Sequence, residues 1–183
     1  MKVEMRFSFP AILAMILCTD TEGTAILCLL TCGLHEVGHI FTMYVMGCPP
    51  ERITFYGRGI KLTGGGKNIP VIISGCAVNF LLFTAFYFFT DDYNLRLFAV
   101  ISLLTGLFNL MPVQNFDGYN LLERVITRFL PPERIAPVLK VTEIISCIVV
   151  VPLIVIFFLG GEVNFSSVVF LFYLFVVDII ENL

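Results

Sequence analysis

Charge is scarce in this sequence: 14% of its 183 residues are charged, against about 25% in an ordinary soluble domain. The net charge is −3 and no basic cluster occurs, which excludes nucleic acid as a partner. The six cysteines form no CxxC pair and no disulfide-like spacing, so they read as small apolar packing residues. No G-x-x-x-x-G-K-[ST] phosphate loop is present, and Gly64-Gly65-Gly66 therefore reads as a flexible turn. Repeats, low-complexity stretches and a separate soluble domain are also missing. Histidine occurs only twice.

What remains is strongly apolar. Hydrophobic residues make up 58% of the chain, with 19 phenylalanines and a mean hydropathy of +0.95. A soluble fold of this size could not hide that much apolar surface, so the composition predicts an integral membrane protein. Runs near the length of a bilayer crossing, about 17–25 residues, occur at roughly 7–20, 24–46, 69–90, 95–112, 138–159 and 163–181. The first resembles a signal peptide, but Leu17-Cys18-Thr19 is a poor cleavage site and the run is expected to stay as a short span. With a cytoplasmic N-terminus, the cytoplasmic side collects Lys2, Arg6, Arg52, Arg58, Lys61, Lys67, Arg124, Arg128, Arg134 and Lys140, and the other side only Arg96. That asymmetry supports six spans with both termini cytoplasmic. The expected fold is an all-α polytopic membrane protein, one domain over 1–183, with a lipid bilayer as its surroundings.

Two connecting segments carry their own patterns. "RITFYGRGIKLTGGG" alternates Ile53, Phe55, Ile60 and Leu62 around Gly57 and Gly59, which reads as a short membrane-associated β-hairpin between the second and third spans. "YNLLERVITRFL", 119–130, is amphipathic at helical spacing and ends at Pro131-Pro132, as an interfacial helix would.

The chemistry lies in His35-Glu36-Val37-Gly38-His39, inside the second apolar run. On a helix, positions 35 and 39 share a face one turn apart, so both imidazoles reach one Zn²⁺ at about 2.0–2.1 Å. Glu36 points about 100° away, beside the metal, which suits a general base acting on water. No other charge occurs between Thr24 and Met46, and a carboxylate in hydrocarbon costs several kcal/mol. That cost favours function over a stray polar face.

A catalytic zinc site usually has a third protein ligand. Asp117, in "LFNLMPVQNFDGYNLL" just after the fourth span, is the better placed candidate. Asp117-Gly118 would equally make an Asp-Gly turn. Glu143, at the start of the fifth span, stays open as the alternative ligand. Cys28 and Cys32 share the helical face of the histidines and read as small residues that let a neighbouring helix approach.

Together these motifs resemble the site-2 proteases, intramembrane zinc metalloproteases with HExxH in one membrane helix and N-x-x-P-x-x-x-x-D-G downstream. The second element reads Asn109-Leu-Met-Pro112-Val-Gln-Asn-Phe-Asp117-Gly118 here, and the family's intervening G-x-x-x-[NSG] reads Gly75-Cys-Ala-Val-Asn79. The resemblance implies one zinc per chain on His35, His39 and Asp117, with Glu36 as catalytic base. It places Asn79, Asn109 and Pro112 near substrate or oxyanion. Strand addition is a general way to hold an extended peptide, and the hairpin, through Phe55 and Ile60, offers an edge for it. The resemblance implies a metalloendopeptidase that cuts a membrane-embedded or membrane-tethered protein at the cytoplasmic side of the cell membrane, in company with membrane-bound regulators. In size and orientation the chain is most similar to the stage IV sporulation protein FB group, which releases a pro-sigma factor. It departs from relatives in Tyr119 after Asp117-Gly118, in Gln114-Asn115 where a proline is common, and in the lack of a recognisable nucleotide-sensing CBS domain. The alternatives are a non-catalytic membrane scaffold of the same fold, or a membrane HExxH protease of another class using Glu143.

Overall fold

The computed structural model describes residues 2–20, 23–56, 59–66 and 68–159. In chain order the elements are β1 (Lys2–Met5), α1 (Ser8–Thr19), α2 (Thr24–Val45), β2 (Arg52–Tyr56), β3 (Gly59–Thr63), α3 (Ile69–Phe89), α4 (Tyr93–Asn109), α5 (Asp117–Ile126) and α6 (Pro132–Leu159). The protein is mostly helical with a small mixed sheet. Its described residues divide into two compact units, one within 1–25, 50–64 and 150–159, the other within Ile26–Pro49 and Gly65–Val149.

The first unit holds the sheet, ordered β1-β2-β3. The expected hairpin is present: β2 and β3 pair antiparallel with Phe55 opposite Ile60. It is not alone, however. β1 adds to β2 in parallel, with Val3 opposite Ile53 and Met5 opposite Phe55. A parallel partner needs a long crossover, and α1 and α2 occupy that stretch of chain. This corrects the all-α expectation with a lone hairpin. Phe55 consequently sits in the central strand, paired on both sides, while β3 is an edge strand. The ring of Phe9, from α1, packs edge-on against Phe55 at 5.3 Å between centroids.

In the second unit each helix end has a local cause. α2 stops at Gly47, whose φ of 69° suits a residue without Cβ. Cys48 N–H then donates to Met43 C=O (2.9 Å) and Gly47 N–H to Tyr44 C=O (3.0 Å), the paired bonds of a Schellman end. α3 opens with proline in its first turn after Asn68. Asp92 caps α4 by accepting from Leu95 N–H at 3.0 Å. α6 begins at Pro132 rather than near 138, because proline at the first helical position forfeits only an N–H that would be unpaired there.

Apolar side chains such as Val71, Ile72, Phe98 and Leu139 are buried in this unit, and polar ones share its interior. The largest fully buried side chains are Asn79, Thr31, Cys76 and Ser102. Meanwhile Ile26, Leu30, Leu34, Val37, Phe41 and Tyr44 are exposed, Phe41 by 68%. Their spacing of three and four places them in one stripe along α2, opposite the buried Thr31, His35, His39 and Met43. A continuous apolar stripe facing outward and small or polar residues facing inward is the arrangement of a helix in lipid. Among the described residues, α2 and α3 are long and apolar enough to cross a membrane; α4 is apolar but shorter. α1, with 12 residues, reaches about 18 Å, less than the roughly 30 Å hydrocarbon core. The expected sixth span, 163–181, lies outside the described residues.

Candidate metal centre

α2 and α3 meet where both lack side chains. A Cβ on Gly38 would come within 2.8 Å of Val78 Cγ2 and 2.9 Å of the Ser74 carbonyl. A Cβ on Gly75 would sit 2.7 Å from His35 Nε2 and closer still to His39 Nε2. Gly75 therefore clears the space in which both imidazoles converge. One turn earlier on α2, Thr31 Oγ1 meets Thr105 Oγ1 of α4 at 3.3 Å, a polar tie between packed apolar helices.

The two rings stand nearly perpendicular, with centroids 4.8 Å apart. His35 Nε2 and His39 Nε2 lie 3.1 Å from one another. The third corner is Asp117 Oδ2, 3.0 Å from each. His39 Nδ1 donates to the Val71 carbonyl at 2.7 Å, which fixes the proton on Nδ1 and, in the neutral ring, leaves the Nε2 lone pair aimed into the triangle. Ser74 Oγ donates to the same carbonyl at 2.7 Å.

Asp117 reaches this point through a tight reversal after α4. Asn115 adopts φ 74°, a left-handed conformation that asparagine tolerates better than most residues. Phe116 N–H closes the turn onto the Val113 carbonyl at 3.1 Å. Asp117 then opens α5, where a carboxylate is favoured by the helix N-terminus. Gly118 is forced by space, since a Cβ there would strike the carbonyls of Leu110 and Met111. Burial alone would raise the Asp117 carboxyl, but hydrogen bonds with His35 and His39 outweigh it and hold it below the usual carboxylate range. It is thus ionised at neutral pH.

Two imidazoles and one carboxylate match the donor set of catalytic zinc sites. Tetrahedral ligands at about 2.0–2.1 Å lie roughly 3.3–3.4 Å apart, so the observed triangle needs to open by only a few tenths of an ångström. The residues fit a Zn²⁺ ion. Glu36 follows His35 on α2 and is partly exposed, whereas both histidines are buried. It interacts electrostatically with His39, His35 and Asp117 without belonging to the cluster of close ligand atoms.

Other sequence-predicted residues distribute unevenly. The Glu143 carboxylate accepts from Gln114 N–H at 3.2 Å. Among the described residues, the cluster of close ligand atoms holds Asp117 and not Glu143. Asn79 is at the site, fully buried, with its amide Nδ2 3.2 Å from His35 Nδ1. Asn109 Nδ2 donates to the Thr105 carbonyl of its own helix at 3.0 Å. Pro112 lies in the reversal between α4 and α5. Phe55 and Ile60 belong to the sheet unit. Cys28 and Cys32 fall outside the donor cluster. Cys76 was missed: its thiol donates to Asp117 Oδ2 at 3.7 Å, and it lies with His35 and Asp117 in a group whose ligand atoms are within 4.8 Å of one another. Its position beside Gly75 in G-x-x-x-N was the available signal.

No protein-family model and no curated protein sequence matches the chain. Among solved structures, it is similar to the site-2 protease from Methanocaldococcus jannaschii, with 21% sequence identity and a TM-score of 0.58. The match covers 87% of this chain and 79% of that one. At this identity the likeness is one of fold.

Proposed function

We propose that the protein is a zinc-dependent intramembrane endopeptidase. The convergence of His35, His39 and Asp117 at 3.0–3.1 Å, on a helix whose far side is a lipid-facing stripe, carries this reading. A bound Zn²⁺ would supply Lewis acidity toward a water and a peptide carbonyl. The chain's own groups do the rest. His35, His39 and Asp117 fix the ion's position, and Gly75 keeps the space between the rings clear. Glu36 takes a proton from the attacking water and returns it to the leaving amine.

The same reading places six spans with both termini in the cytoplasm, supported by the ten-to-one distribution of Lys and Arg. The bond cut lies in or beside the membrane at the cytoplasmic side, in a membrane-embedded or membrane-tethered protein. A tethered regulatory factor, as in the stage IV sporulation protein FB group, is the substrate class that the sequence resemblance favours, with membrane-bound regulators alongside. A scaffold that had lost catalysis would have no use for a convergent His-His-Asp triangle with a carboxylate beside it. Comparing cleavage products from wild type and Glu36→Gln tests the reading; identical products contradict it.

A further inference from the structure

Asn79 stands on α3 one turn beyond Gly75, with 0% of its surface exposed. Its amide end Nδ2 is 3.2 Å from His35 Nδ1. The other end, Oδ1, is buried with no hydrogen-bond partner among the described residues. A half-turn of the amide exchanges these two ends at almost no steric cost, so the protonation of the facing ring decides which one meets it.

The ring's protonation follows from its other nitrogen. His35 Nε2 is a corner of the triangle, 3.1 Å from His39 Nε2 and 3.0 Å from Asp117 Oδ2. To offer a lone pair to a cation there, a neutral imidazole must keep its proton on Nδ1. An Nδ1–H buried in an apolar bundle needs an acceptor. His39 has one in the Val71 carbonyl. Among the described residues, His35 Nδ1 faces only Asn79. With the NH₂ end facing the ring, His35 would hold its proton on Nε2 and the triangle would lose a ligand. With Oδ1 facing, the proton is on Nδ1 and the unmet buried oxygen acquires its donor.

We propose that Asn79 is a positioning residue that accepts the His35 Nδ1 proton through Oδ1 and so holds His35 in the tautomer that binds metal. α3 then supplies the outer partner of both imidazoles, a backbone carbonyl for His39 and a side-chain carbonyl for His35. This inference rests on the metal centre proposed above and deepens it. It assigns Asn79 to the ring and not to substrate.

The test uses the full chain in detergent micelles. Zinc dissociation constants are measured by chelator competition for wild type, His35→Ala, Asn79→Leu and Asn79→Asp. Asn79→Leu, similar in size but without an acceptor, is expected to weaken zinc about 10- to 100-fold, the usual effect of losing an outer partner. Asn79→Asp, which can only accept, is expected to stay within about 3-fold of wild type. Wild-type affinity in Asn79→Leu overturns the proposal, and so does an Asp variant as weak as the Leu variant, because it means the NH₂ end faces the ring. Unchanged affinity in His35→Ala overturns the metal centre itself and the inference with it. Should Asn79→Leu fail to fold, ¹⁵N spectra of histidine-labelled wild type still decide. With two histidines in the chain, two imidazole systems appear. Both are expected as the Nδ1–H form in the zinc-loaded protein. His35 as Nε2–H in the zinc-loaded chain overturns the proposal.

Discussion

Asp117 Oδ2 lies 3.0 Å from His39 Nε2, although the two residues are 78 positions apart. Nothing local joins them. The contact exists because the α4–α5 reversal lifts Asp117 to the face of α2 that carries both histidines. Asp117→Ala should therefore weaken zinc binding by about 100-fold or more, since two protein ligands rarely hold catalytic zinc. Glu143→Ala should cost less than about 3-fold, because Glu143 reaches the turn before Asp117 through Gln114 N–H, a hydrogen bond worth about 1 kcal/mol. Chelator competition on both variants checks the pair; the reverse ranking contradicts the assignment.

Gly75→Ala should expel one imidazole from the triangle. The added methyl would occupy space 2.7 Å from His35 Nε2. Relief by helix separation is resisted by the Gly38 contact with Val78 and Ser74. Zinc retention should fall by about 100-fold, while thermal stability drops by no more than the roughly 1–3 kcal/mol typical of overpacking. A Gly75→Ala protein that binds zinc normally contradicts the geometry.

How much of this was legible in the sequence differs from residue to residue. The helical spacing of His35 and His39 placed both on one face before any coordinates, because a period of 3.6 is a local property. The hairpin was legible for the same reason, through its alternation and glycines. The choice between Asp117 and Glu143 was open because it depends on a turn in which Asn115 takes a left-handed conformation, and spacing does not encode that. β1 was missed: Lys-Val-Glu-Met alternates as a strand does, but four residues before an apolar run look equally like the start of a signal segment. Cys76 and Asn79 were read as packing and as substrate contact. Their burial against the imidazoles follows from the close approach of α2 and α3 at Gly38 and Gly75, a tertiary fact.

Acid should strip the metal. Protons compete for both imidazoles and for Asp117, so zinc binding releases protons. Burial would raise the Asp117 carboxyl, but its hydrogen bonds with His35 and His39 hold it below the usual carboxylate range, so it keeps its charge as the pH falls toward that range. Each proton displaced per bound ion adds about a tenfold loss of affinity per unit of falling pH. Zinc affinity measured against pH checks this; a slope near zero would mean that the histidines are not ligands.

A role for the edge of β3 in substrate capture is a proposal that proline can test. An extended peptide can pair with β3 but not with β2, which has strands on both sides. Successive residues of an antiparallel strand turn their N–H groups to opposite sides. Of Ile60→Pro and Lys61→Pro, the one whose N–H points away from β2 should slow substrate processing about 10-fold with zinc retained, which comparing cleavage rates of the two variants reads directly. Equal rates in both variants and wild type would remove the edge from the mechanism.

Glu36 tests the account most directly. Wild type and Glu36→Gln are expressed in matched cells, zinc content is confirmed in both, and membrane-proximal N-termini are compared by proteomics. The expected result is one zinc per chain in each protein, with a set of new N-termini in or beside membrane spans that appears only with wild type. Zinc-loaded Glu36→Gln that yields the same N-termini at the same rate contradicts it.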